Sequence, residues 1–436
     1  MTSPGWLEYQ TQDTVYHHQV RLLQKTIEYC KTYSAFYRKI LNNAQTSHTY
    51  INTVNDIEKL PLTTKQDLQK FNDEFFCCDE KVQDIVHTSG STGLKPIMHP
   101  LTGQDLVRLA YNEELSFLCA GLSKNDVVML SVAMDGFFIA GLAYYTGLRK
   151  IGSCILRTGP LDYEQQLHLL KTQPISVIIG VPSNMIKLFE FCERNQLNPK
   201  ILGIKKLILI GETFRKADHS LNELGLKLSS KIPGATLIST YGNTEIASTF
   251  CECDYGKGGH CHPDLCFPEI VDESGKSVGR GKIGDLVVTT FGSEGMPLIR
   301  YRTGDITYYD DSICSCGRTS YRIGPILGRR ENMLKICGVS IYPTVIEDGI
   351  NSIAQITDYV IVAEKDNENS DRVAIYLLLS RETEPNFDEK VSNIIRIKAL
   401  VTPHVIISTA EELQKLRSAS GSRKDLRFID TRRGTI

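Results

Sequence analysis

The 436-residue chain has no hydrophobic run approaching the ~18 consecutive apolar residues that cross a bilayer, which argues against a membrane span. It has no excess of either charge, since 49 Lys and Arg stand against 51 Asp and Glu for a formal net charge of −2. No global field therefore draws it to nucleic acid or to an anionic membrane surface. The opening stretch "MTSPGWLEYQTQD" lacks the basic and apolar segments of a secretion signal, so the cytoplasm is the expected compartment. No internal repeat is present. A Walker loop, Gly and four residues before Gly-Lys-Ser/Thr, is also missing. The single Gly-Lys-Ser, Gly275 to Ser277, has Ile270 where the first glycine belongs, which excludes a P-loop nucleotide site.

What is there is the composition of a globular protein, 41% hydrophobic and 23% charged, long enough for two or three structural units. Thirteen cysteines, an odd number, in a chain without a secretion signal do not read as a disulfide framework. Six of them fall between Cys251 and Cys316 and need another explanation.

The first 60 residues read as helical, with Val20, Leu23, Ile27, Tyr33 and Tyr37 at helical spacing. From Val82 to about Gly242, short apolar runs ("DVVMLSVAM", "SVIIGVP", "LILIGE", "ATLISTYG") alternate with amphipathic stretches such as "NMIKLFEFCERN". This alternation predicts an α/β fold, a mostly parallel sheet covered by helices. Ligands of such sheets sit beyond the carboxyl ends of the strands, and here those ends read "VPSN", "IGET" and "TYGNTE". After "ILGRRENMLKICGVSIYP", the runs "TDYVIVAE", "RVAIYLLL" and "PHVIIST", with a helical pattern from Glu389 to Leu400, predict a smaller α+β domain. The polar "SASGSRKD" near the C-terminus is expected to be a mobile loop.

The segment "HTSGSTGLKP", His87 to Pro96, holds four hydroxyls, two glycines and a lysine. A surface turn is one reading. An anion cradle is the other, with converging backbone N–H groups, hydroxyl donors and the charge of Lys95. Three further motifs follow in order: "YGNTE" (Tyr241 to Glu245), "YRTGD" (Tyr301 to Asp305) and "GRRENMLKICG" (Gly328 to Gly338). Their order and spacing resemble the adenylate-forming superfamily of acyl-CoA synthetases, luciferases and peptide-synthetase adenylation domains. "LPLTTKQDLQKF", "IGET" and the terminal "KDLRFIDTRR" are similar to its phenylacetate–CoA ligase branch.

That resemblance implies an N-terminal domain over residues 1–328 that binds ATP and a carboxylic acid. A mobile C-terminal domain over 329–436 would carry a catalytic lysine. It also implies a reaction: the acid displaces pyrophosphate from ATP, and coenzyme A captures the acyl-adenylate. Thr88, Ser89, Gly90, Ser91, Thr92 and Gly93 would hold the β- and γ-phosphates with Lys95 nearby. Glu245 would hold Mg²⁺, and Asp305 would accept from the ribose hydroxyls. Gly211, Glu212, Tyr241, Gly242 and Thr244 would border the nucleotide, with Arg329 near its ribose and phosphates. Phe137, Phe138 and Ile139 are the candidates for the acyl pocket, with plain core as their other reading. The chain departs from the family pattern at "GLKP" in the phosphate loop, at Glu331 where the hinge usually has aspartate, and in the two residues between Gly421 and Lys424. Counting back from "RFID" selects Lys424 as the catalytic lysine.

The region 251–316 stands outside that pattern. "CECDYGKGGHCHPDLC" and "CSCGR" put thiols and imidazoles on two separated irregular segments, a combination suited to tetrahedral zinc. Cys314 and Cys316 form one pair. Cys253 and His260 complete the set, with Cys251, Cys261 and His262 as alternates. Four protein ligands leave no open position, so such a zinc is expected to be structural. The function expected is an AMP-forming ligase joining a small aryl or arylalkyl acid to coenzyme A, acting without nucleic acid or membrane, with homodimerisation left open. A carrier-protein thiol or a cofactor hydroxyl as acceptor, and a catalytically inactive zinc-containing binding protein, are the alternatives.

Overall fold

The computed structural model describes residues 4–42, 51–77, 81–88, 96–160, 162–336, 339–365, 371–380, 384–419 and 427–432. They divide into two compact units, one ending at Ile326 and the other starting at Leu327.

The first unit is built around a nine-stranded sheet. Its parallel part comprises Cys154–Arg157, Val127–Ser131, Val177–Gly180, Lys206–Leu209 and Thr236–Asn243, in that spatial order. Side chains alternate faces along a strand, and here both faces are apolar. Val128, Leu130, Ile179, Ile208 and Ile238 enter one buried cluster. Met129, Ile178, Leu207, Leu209 and Leu237 enter another. Burial on both faces is why Val127–Ser131, Val177–Gly180 and Lys206–Leu209 read as continuous apolar runs rather than as alternating ones. Each fully buried Ile or Leu stabilises by about 1.5–3 kcal/mol. Ser131, Gly180, Leu209 and Ser239 stand in one register row near the carboxyl ends, so the polar segments after these strands emerge together.

Beyond Thr236–Asn243 the sheet continues antiparallel through Ser248–Cys251, Gly259–His260, Arg322–Ile323 and Tyr309–Asp310. One row of this extension aligns Thr240, Cys251, His260 and Arg322. A second antiparallel sheet of the unit pairs Cys266–Val271, Gly284–Thr290 and Tyr301–Thr307. It packs with the helices Gln12–Tyr33, Ala35–Leu41 and Lys65–Phe75. Leu23, Ile27 and Tyr37 are buried there as the spacing predicts, while Tyr33 is 55% exposed.

The helix Gly103–Cys119 begins with a reciprocal cap in which the Thr102 hydroxyl accepts from the Asp105 N–H and the Asp105 carboxylate from the Thr102 N–H. The same carboxylate accepts from the backbone of Glu294 and Gly295, at 2.8 Å each. One cap thus also fastens a loop distant in sequence.

The second unit has a four-stranded sheet. Ile356–Lys365 pairs antiparallel with Asp371–Leu379 and parallel with Phe428–Asp430, and His404–Ile407 lies parallel to Asp371–Leu379. Helices Pro343–Asn351 and Phe387–Ala399 contribute Ile346, Ile350, Val391 and Ile395 to its core. Arg432 ties its end together through Asp371 at 2.7 Å and Asp430 at 2.8 Å. Most of "SASGSRKD" lies outside the described residues.

Candidate active site

Two of the sequence motifs meet beyond the parallel strands. The strand Thr236–Asn243 delivers Tyr241, whose hydroxyl donates to Asp305 Oδ2 at 2.7 Å. Asp305 lies on Tyr301–Thr307 after Gly304, whose φ of +82° is one that only glycine adopts freely. The Asp305 N–H is held by Thr303 Oγ1 at 3.1 Å. The residue is therefore held at its backbone and at its carboxylate, with only 3% of it exposed.

Glu245 follows in the turn after Tyr241. Asn243 Oδ1 shapes that turn by accepting from the Ile246 N–H at 3.0 Å. Glu245 is 8% exposed, and its Oε1 accepts from the Tyr301 hydroxyl at 3.3 Å. Oε2 takes no hydrogen bond among the described residues. A partly desolvated carboxylate with an oxygen to spare suits a hard divalent cation. Gly242 has no room for a side chain, because a Cβ there would come within 2.9 Å of the Ser248 carbonyl and of Thr249. Thr244 lies half-buried in the same turn.

Gly211 and Glu212 follow the strand Lys206–Leu209. Both Glu212 oxygens are engaged at the start of helix Pro182–Arg194, accepting from the Ser183 N–H at 2.9 Å and the Ser183 hydroxyl at 2.8 Å. Glu212 thus binds two strand ends together, and a carboxylate at a helix N-terminus is favoured by the helix dipole.

Thr88 is described and buried. Its hydroxyl accepts from the Ile97 N–H at 3.1 Å, and its N–H donates to the Ile97 carbonyl at 3.1 Å. These bonds close the base of the segment proposed as a phosphate cradle. Ser89, Gly90, Ser91, Thr92, Gly93 and Lys95 lie outside the described residues, as does Lys424. Arg329 is exposed in the short strand Gly328–Arg329 of the second unit.

The three acyl-pocket candidates separate. Phe137 and Phe138 are 55% and 39% exposed, which corrects the plain-core reading for both. Phe137 stacks obliquely on His87 with ring centroids 4.7 Å apart, beside the base of the 88–97 segment. Ile139 turns inward and packs in the core, where that reading fits.

Arg108 carries no signal in the sequence and proves central. Fully buried on the helix Gly103–Cys119, it donates to the carbonyls of Phe291 (2.6 Å), Ala247 (2.8 Å) and Leu265 (2.7 Å) and to Ser248 Oγ (3.0 Å). Ala247 has a positive φ of 43°, a strained conformation for a residue with a Cβ. Arg108 therefore clamps the turn that presents Glu245.

On the antiparallel extension, Cys253, His260, Cys314 and Cys316 converge, with all ligand-type atoms within 4.8 Å of one another. The alternates go elsewhere. Cys251 Sγ points to the Glu252 carbonyl, Cys261 pairs with Cys266 at 3.7 Å, and His262 lies between Glu8 at 2.6 Å and Ser116 at 2.9 Å. Burial first, then Arg318 and Arg322, pushes the His260 imidazole well below its ordinary range, which keeps it neutral. Deeper in the core, burial raises the Glu113 carboxyl to about 8, against the hydrogen bonds of Thr249 and Asn112.

The model of the AMP-binding enzyme family matches residues 22–293. The chain is 28% identical over 402 residues to a phenylacetate–coenzyme A ligase of Thermus thermophilus, covering 91% of this chain and 88% of that one. It is 27% identical over 409 residues to the Pseudomonas putida ligase of the same name, covering 92% and 90%. The crystal structure of a 2-hydroxyisobutyryl-CoA ligase holding an acyl-adenylate has the same fold, with a TM-score of 0.84 at 21% identity over 98% of this chain and 92% of that one. With the Tyr241–Asp305 and Tyr301–Glu245 pairs at the carboxyl end of its parallel sheet, the chain belongs to the AMP-binding enzyme family, in its phenylacetate–coenzyme A ligase-like branch.

Proposed function

We propose that the protein is an ATP-dependent, AMP-forming ligase that joins a small aryl or arylalkyl carboxylic acid to coenzyme A. The observation that carries this reading is the convergence of Asp305 and Glu245 through Tyr241 and Tyr301. It sets a ribose-type acceptor and a cation-type carboxylate on adjoining segments.

In the first half-reaction a carboxylate oxygen of the acid attacks the α-phosphorus of ATP, and pyrophosphate leaves with the electrons of the broken P–O bond. In the second, the thiol of coenzyme A attacks the acyl carbonyl, its proton passes to solvent, and AMP leaves. Catalysis of this kind is mostly positioning and charge neutralisation. Asp305 accepts from the ribose hydroxyls and fixes the nucleotide's orientation. The 88–93 segment, closed at its base by Thr88, donates to the β- and γ-phosphates with Lys95. Gly211, Gly242 and Thr244 line the nucleotide's approach, Glu212 braces it, and Arg329 meets the ribose and phosphates. Glu245 holds the Mg²⁺ that accompanies ATP and offsets its phosphate charge. Lys424 bridges the carboxylate and the α-phosphate as negative charge develops. The exposed Phe137 and Phe138 offer apolar surface for an aromatic acyl group, which is why an aryl acid is favoured.

No helix among the described residues is long and apolar enough to cross a membrane, and a cytoplasmic setting goes with the proposed substrates. The test is pyrophosphate release over a panel of carboxylic acids, with and without coenzyme A. An arylalkyl acid should release pyrophosphate best and yield thioester only when coenzyme A is present. Release without thioester would move the acceptor to another group, and no release with any acid would overturn the ligase reading.

A further inference from the structure

From the cluster on the antiparallel extension, we infer that Cys253, His260, Cys314 and Cys316 bind one zinc ion whose role is to hold the fold, independently of the ligase chemistry. The geometry fits the ion. Cys253 Sγ and Cys314 Sγ lie 3.7 Å apart, and Cys316 Sγ lies 3.5 Å from His260 Nε2. A tetrahedral site with Zn–S near 2.3 Å and Zn–N near 2.05 Å requires S–S edges of about 3.8 Å and S–N edges of about 3.6 Å. Those two edges match, and all four donor atoms lie within 4.8 Å of one another.

The surroundings match as well. His260 Nδ1 faces Ser320 Oγ at 3.4 Å, an outer contact that leaves Nε2 for the metal. Three thiolates and a neutral imidazole around Zn²⁺ leave one net negative charge. The Arg318 guanidinium meets it, donating to Cys316 Sγ at 3.6 Å while also bonding Glu8. Both cysteine segments make the same turn. The Gly256 N–H returns to the Cys253 carbonyl at 3.0 Å, and the Gly317 N–H to the Cys314 carbonyl at 2.8 Å. Thiolate-rich tetrahedral sites select zinc over hard cations, and four protein donors leave no place for a catalytic water. Metal binding would expel three thiol protons to solvent and staple the 253–260 and 314–316 segments together. It would also secure Glu8, whose carbonyl accepts from the Thr319 N–H.

Cys119 packs against the cluster but points its thiol at the Cys251 carbonyl, 3.4 Å away, so it serves as the control. The experiment is metal analysis of the full chain purified under reducing conditions without chelator. Wild type and Cys119→Ala should carry about one zinc per chain, the number a single four-ligand site holds. Cys314→Ser and Cys316→Ser should lose it. Chelation should lower the thermal midpoint of wild type, because metal bound only to the folded state stabilises that state. Should the serine variants fail to fold, Co²⁺ added to metal-free wild type decides. Saturation at one equivalent with a thiolate-to-cobalt charge-transfer band and the strong visible bands of tetrahedral Co²⁺ supports the site. Wild type that holds no zinc and takes up no cobalt overturns it. So does a Cys253–Cys314 disulfide in the purified protein, full zinc in Cys316→Ser, or equal loss in Cys119→Ala.

Discussion

The Tyr241 hydroxyl donates to Asp305 Oδ2 at 2.7 Å, joining two motifs 64 residues apart. Asp305→Ala should abolish ATP-dependent activity while leaving the fold intact, since the change opens no apolar core. Tyr241→Phe removes only the orienting donor. A hydrogen bond to a charged group contributes about 1.5–3 kcal/mol, so nucleotide affinity should fall roughly tenfold or more. Calorimetric titration with ATP checks both, and unchanged affinity in Asp305→Ala would remove the ribose role.

Lys424→Ala separates the half-reactions. Loss of one preorganised donor at developing charge costs on the order of a hundred- to a thousandfold, and that loss should fall on acyl-adenylate formation alone. Conversion of supplied acyl-adenylate to thioester should proceed at the wild-type rate. Equal loss in both steps would assign the lysine to structure instead.

Arg108→Met should destabilise the first unit more than any surface change. It strips donors from three buried carbonyls and one hydroxyl, and each buried acceptor left unsatisfied costs about 1–3 kcal/mol. Denaturant unfolding should show a loss of at least ~3 kcal/mol on that basis. Arg108→Lys should recover little, because an ammonium cannot reproduce the planar fork.

Glu113 should make stability fall as pH rises. Its carboxyl is raised from 4.5 to about 8 by burial, and its Oε2 has no hydrogen-bond partner among the described residues. The folded chain therefore keeps a proton that the unfolded chain has released between those values. Stability is unaffected by this group below about pH 4.5, declines through the window, and above about pH 8 is lower by up to about 5 kcal/mol. Glu113→Gln should flatten the slope and gain stability at pH 8. Thermal melts across this range check it, and an identical slope in both proteins would count against a buried neutral carboxyl.

The parallel strands were readable because both their faces are buried, which leaves apolar runs with polar ends. The four-residue strand Cys154–Arg157 has no fully buried residue and gives no such run. Tyr33 fits the helical spacing yet is exposed, since periodicity names a face without saying that anything covers it. Phe137 and Phe138 show the converse, an apolar pair turned outward. Among the site residues, Asp305 and Glu245 were marked by motif, and Cys314 and Cys316 by spacing. Arg108 was not, because an arginine in a helical pattern reads as a solvated face. The carbonyls it serves lie between 139 and 183 residues away in sequence. Glu8 was hidden in the same way, its partners being His262 and Arg318.

The row Thr240–Cys251–His260–Arg322 has a consequence for solubility. Without the antiparallel extension, Thr236–Asn243 would be the last strand of a long, apolar, nearly parallel sheet. Its free N–H and C=O groups would then offer a template to any passing chain. The extension turns the strand that presents Tyr241 into an interior one and ends the sheet instead on the two-residue strand Tyr309–Asp310, too short to recruit a neighbour. Variants that loosen the 253–260 or 314–316 segments should therefore aggregate before they lose their helices.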